Sequence, residues 1–97
     1  MMKTARLQEI AMYLENKIRN KGFNVNYEVK NVYWDYGAGI THETIVVSDV
    51  NGDHSFQIFS PRELEDIENG KFKQKDADAI AEKHEKYFND WKVARLN

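Results

Sequence analysis

The chain has 97 residues, 41% hydrophobic and 31% charged, with a net charge of −2, which suits one domain with a single core. It has no cysteine, which excludes disulfide frameworks and thiol chemistry. No apolar run approaches the roughly 18 residues of a membrane span, and the opening MMKTARLQEI lacks a signal-peptide core. The expected location is therefore cytoplasmic, the host cytoplasm for a phage-encoded chain, with no membrane partner.

Leu7, Ile10, Ala11, Leu14 and Ile18 recur at helical spacing and form one apolar stripe. With Thr4 as N-cap and Gly22 just past the end, they predict a first helix over residues 4–21. Phe23, Val25, Tyr27 and Val29 then alternate with polar residues, the pattern of a half-buried strand. From Val32 to Tyr36 the alternation fails, which predicts either a bulge or an aromatic-rich hairpin end, with the turn at 37–39.

Asn51-Gly52 between two β-rich runs predicts a type I′ hairpin joining strands at 40–49 and 53–59. That register sets Val47 opposite Phe56 and Ile45 opposite Ile58 on one face, and Asp49 beside His54. The other face receives Thr44, Val46, Gln57 and Phe59. Ser60-Pro61-Arg62-Glu63 is a capping box with proline at the first helical position, and Phe59 and Leu64 are spaced as a hydrophobic staple. A short helix follows over 61–68, closing at Asn69-Gly70, with Leu64 and Ile67 pointing inward. In the last helix Ala77, Ile80, Ala81, His84, Phe88 and Trp91 share a face, flanked by Tyr87, and the helix is expected to run to Val93 or Leu96. The reading is a single α+β domain over 1–97, of order αβββαα. A three-stranded antiparallel meander packs one face under the first and last helices, with the short helix at an edge or end.

Chemistry-bearing patterns are sparse. The histidines at 42, 54 and 84 have no ligand spacing, and His42 and His54 fall on opposite sheet faces, so no metal is expected. No nucleophile motif, P-loop or dinucleotide fingerprint occurs, so neither catalysis nor a cofactor is expected. His84 is expected to bond to backbone or a carboxylate at the core edge.

Charge is unevenly spread. Residues 31–70 carry one basic and eight acidic side chains, against net positive segments of +3 before and +2 after them. Such a middle either steers a basic partner or is neutralised by its flanks. The expected partner is a protein, contacted by Tyr33, Trp34, Asp35 and Tyr36 on the aromatic turn and by Glu63, Glu65, Asp66 and Glu68 on the acidic helix. Nucleic acid is the second choice, through His42, Lys71, Lys73 and Lys75 near the start of the last helix. Phe72, among those lysines, is expected to tuck inward after Gly70.

The segment GITHETIVVSDVNGDHSFQIFSPRELEDI, preceded by a helix, resembles the αβββαα anti-CRISPR proteins of phages in topology and turn placement. The resemblance implies a non-enzymatic inhibitor whose acidic surface occupies the nucleic-acid site of a nuclease. Gly39-Ile40-Thr41-His42 is also similar to the G-P-x-H loop of double-stranded RNA-binding domains, and Lys75-Asp76-Ala77 to part of their K-K-x-A helix start. That likeness implies shape-based RNA binding. Ile40 stands where that family has proline, and Gln74 where it has a lysine.

Overall fold

The computed structural model describes residues 2–34, 40–52 and 54–96, with the backbone alone at 2–4, 34 and 40. The elements are α1 (Met2–Arg19), β1 (Val25–Trp34), β2 (Ile40–Asp49), β3 (Ser55–Gln57), α2 (Pro61–Glu68) and α3 (Gln74–Asp90). The order is αβββαα, and the strands form one antiparallel sheet in the order β1-β2-β3. Leu7, Leu14, Ile18, Phe23, Val25, Ile45, Val47 and Phe88 lie in one core between the sheet and the helices. The helix is already formed at Met2, so Thr4 lies inside α1 and is not its N-cap.

β1 and β2 pair residue for residue from Val25↔Asp49 to Trp34↔Ile40. The ladder has no bulge through Trp34↔Ile40, and Asp35 and Tyr36 of the expected hairpin end lie outside the described residues. Alternation fails after Lys30 because the hairpin outruns its cover there. β3 pairs only with Val46–Ser48, and Asn31 and Tyr33, on the helix side, are exposed. Residues 31–34 and 40–43 thus form a two-stranded arm, and Thr44 at its base is buried. The turn expected at 37–39 lies outside the described residues.

The β2–β3 register is the expected one, with Val47 opposite Phe56 and Ser48 opposite Ser55. Ile58 N–H also donates to the Ile45 carbonyl at 3.3 Å. The turn differs, however. Gly52 has φ of 73° while Asn51 does not enter the positive region, and type I′ requires both to do so. Val50 N–H points the other way, toward β1, and donates to Asn24 O at 3.2 Å. The nearest closing pair is therefore Asp49 N–H to His54 O at 3.2 Å, and Gly52 N–H donates back to Asp49 O at 3.1 Å. The loop opens to four residues, and the third strand shrinks from the expected 53–59 to Ser55–Gln57.

α2 carries the expected cap. Ser60 N–H donates to Glu63 Oε1 at 2.9 Å, and Glu63 N–H donates to Ser60 Oγ at 3.2 Å. Phe59 and Leu64, the staple pair, are both buried, and α2 packs on α1. The helix ends in a Schellman motif, with Gly70 at φ 75° and Lys71 N–H donating to Asp66 O at 2.8 Å.

α3 closes with the same motif but without a glycine. Lys92 N–H donates to Asn89 O at 3.2 Å and Val93 N–H to Phe88 O at 3.1 Å, with Lys92 at φ 54°. The helix stops at Asp90 and does not run to Val93 or Leu96. The chain turns back instead, because an antiparallel bridge pairs Arg95 with Phe23. The Arg95 guanidinium lies 4.1 Å over the Phe23 ring. A lysine in the left-handed region costs roughly 1–2 kcal/mol, and glycine removes that cost but gains unfolded-state entropy. Lys92→Gly should therefore stabilise by about 0.5–1 kcal/mol, read as a raised denaturation midpoint at unchanged m-value.

Candidate functional site

α3 and its C-cap place His84, Phe88 and Trp91 along one side, and His54, just before β3, and Phe56 within it face that side. Phe56 meets His84 edge-on at 5.2 Å and Trp91 at 5.6 Å. The Trp91 indole stacks on Tyr87 at 5.4 Å and 17°, and on His54 at 5.0 Å and 19°. Tyr87 in turn stacks toward His84 at 6.2 Å. The inner end of this row is dry, with His84 only 4% exposed. The outer end faces solvent, with Tyr87 at 36% and Trp91 at 39% exposure. Trp91 was expected on the buried stripe. It sits half out because it is the C-cap residue, where the helix direction is lost and Lys92 swings the chain away.

At the inner end the Tyr27 hydroxyl and His84 Nδ1 share a hydrogen bond at 2.8 Å. His84 thus bonds to a phenol and not to backbone or a carboxylate. Burial, reinforced by the Lys83 charge, pushes its pKa down to about 4. Burial pushes the Tyr27 hydroxyl strongly up, with the Glu15 charge adding to it. Both groups are therefore neutral at pH 7, and their bond ties β1 to α3 beneath the exposed rings. Outside this row, Asp78 accepts from Lys17 Nζ at 2.8 Å and from the Tyr13 hydroxyl, which clasps α3 to α1. Those bonds hold the Asp78 carboxyl below its ordinary range and raise Lys17.

The residues expected to contact a partner are distributed as follows. Tyr33 is 62% exposed on the arm, Trp34 is described by its backbone alone, and Asp35 and Tyr36 lie outside the described residues. Glu63, Glu65 and Glu68 are exposed on α2, and Asp66 is half-buried. Ion pairs run within α1, from Lys17 of α1 to Asp78 of α3, and from Lys21, just past α1, to Glu85 of α3, and among the described residues none involves these four carboxylates.

Lys71, Lys73 and Lys75 are exposed at the α2–α3 junction, while His42 lies half-buried on the arm opposite Val32. Phe72 tucks inward, edge-on to Phe59 at 5.5 Å. Lys71 shares a groove of about 400 Å³ with Glu63, Asp66 and Asp76. Asp76 already accepts from Lys73 N–H at 2.8 Å, so a carboxylate occupies the start of α3. Among the described residues no three His, Asp or Glu side chains converge to hold a metal, and no helix is long and apolar enough to cross a membrane.

No protein-family model, curated protein or solved structure matches this chain significantly. The site must be read from its own chemistry. Sequence could have paired Tyr87 with Trp91, since i,i+4 residues share a helix face. It held no signal for His54, which reaches Trp91 only through the packing of β3 on α3.

Proposed function

We propose that this protein is a small non-catalytic binding protein that occupies a surface of a protein partner. The observation that carries the reading is the solvent-facing row of Tyr87, Trp91 and His54, seated on the buried, hydrogen-bonded Tyr27–His84 pair. Trp and Tyr held in fixed rotamers supply contact area at low entropic cost, which is what binding hot spots use. The carboxylates on α2, outside any ion pair among the described residues, are suited to steer a basic surface toward the site. A narrower form of the reading is an anti-CRISPR-type inhibitor of a nucleic-acid-binding nuclease, encoded by a phage or mobile element and acting in the host cytoplasm. The αβββαα order and the acidic helix support that form.

Immobilised protein should retain a specific protein from bacterial lysate. Trp91→Ala should weaken that capture about thirtyfold or more, the roughly 2 kcal/mol of a hot-spot truncation. Lys83→Ala, exposed on α3, should leave it unchanged. Recovery of nucleic acid without a specific protein would argue for the second-choice reading instead.

A further inference from the structure

We propose that the outer edge of β1 between Val29 and Tyr33 is the site at which a second copy of this chain pairs, joining two sheets across a two-fold axis. In β2 the odd-numbered residues turn their backbone groups toward β3, as Asp49 N–H to His54 O and Ile58 N–H to Ile45 O show. The even-numbered residues therefore face β1, and in the unbroken β1–β2 ladder the odd-numbered residues of β1 turn outward. The inner half of that edge is covered. Tyr27 N–H donates to Glu15 Oε1 at 2.8 Å, and the chain before Val25 is bridged by Arg95. The outer half has no such device among the described residues. Among the described residues nothing bonds the outward groups of Val29, Asn31 and Tyr33, β1 contains no bulge, and the chain's one proline is Pro61. An edge left in this state is a template for another strand.

Three observations bear on the register in which a second copy pairs. A register centred on Val29 needs the Tyr27 N–H that Glu15 already holds. A register centred on Lys30 sets two exposed lysines opposite each other, which repels. A register centred on Asn31 uses only open groups, pairing Asn31 with Asn31 of the second copy and Val29 with Tyr33 on either side. That register also solves a packing problem. Met12 is 66% exposed and lines a cleft of about 280 Å³ with Gln8, Ala11, Tyr27, Glu28 and Val29. Tyr33 of the second copy, 62% exposed in the single chain, arrives beside Val29 on the helix side of the joined sheet. Its ring enters this cleft, and the two-fold repeats the contact.

Sedimentation velocity over the micromolar to millimolar range should show a reversible monomer–dimer equilibrium. Asn31→Cys, the one thiol in a cysteine-free chain, should oxidise to a covalent dimer much faster than Asn20→Cys at the exposed end of α1. Asn31→Pro removes an outward N–H without touching the ladder to β2 and should abolish dimerisation. Met12→Glu, at an exposed position, should weaken it about tenfold or more with the circular dichroism spectrum intact. A chain monomeric at millimolar concentration overturns the proposal. So do equal cross-linking of the two cysteine variants and dimerisation of Met12→Glu at wild-type strength.

Discussion

Phe59→Ala should lower the unfolding free energy by about 3–5 kcal/mol, the range for truncating a fully buried phenylalanine. Phe59 is 3% exposed, and its ring meets Phe72 edge-on at 5.5 Å in the same cluster as Leu64 and Ile67. It stands one residue before the Ser60 cap and packs as the staple of α2, so its loss opens a cavity and releases the α2 entry together. Loss of the Ser60 cap alone is worth only about 1 kcal/mol, so packing dominates this corner. Chemical denaturation of the variant decides it: a midpoint matching wild type would remove both the staple and the Phe59–Phe72 contact from the account.

Stability should fall by about 3 kcal/mol between pH 6.5 and pH 4 through His84 alone. Its folded pKa, about 4, lies below the ordinary histidine value of 6.5. Between those values the unfolded chain binds a proton that the native state refuses, so acid favours unfolding. The contribution is fully present above pH 6.5 and is lost as pH falls toward 4. Tyr27 acts in the opposite direction. Its hydroxyl is held well above the ordinary value of 10, so stability should also decline above pH 10, where the unfolded chain loses that proton first. Urea midpoints measured from pH 4 to 7 test the acid limb against His84→Gln, whose amide does not titrate and can still bond to the Tyr27 hydroxyl. An equal slope in the variant would show that carboxylates, not His84, govern acid unfolding.

The same pair bears on the site, because His84 and Tyr27 form the floor on which Tyr87 and Trp91 stand. Opening that floor should disorder the rings before the sheet melts. A binding protein of this design would then lose partner affinity at acid pH before it loses secondary structure.

The sequence by itself determined the elements whose cause is local. The capping box at Ser60–Glu63, the apolar stripe of α1 and the alternation from Val25 to Val29 each act within a few residues, and each formed as read. The Val47–Phe56 register was also legible, because one sheet face had to collect the apolar side chains. Tertiary structure decided what depends on distant partners. The four-residue β2–β3 loop follows from Val50 N–H bonding to Asn24, and the early stop of α3 from the return of Arg95 to Phe23. The exposed ring row needs the start of β3 to lay His54 against Trp91, and the edge of β1 stays open because Glu15 reaches Tyr27 while, among the described residues, nothing bonds the outward groups of Asn31. Backbone hydrogen-bond direction and long-range ring stacking leave no periodic trace in a sequence. The site was therefore hidden where the fold was plain.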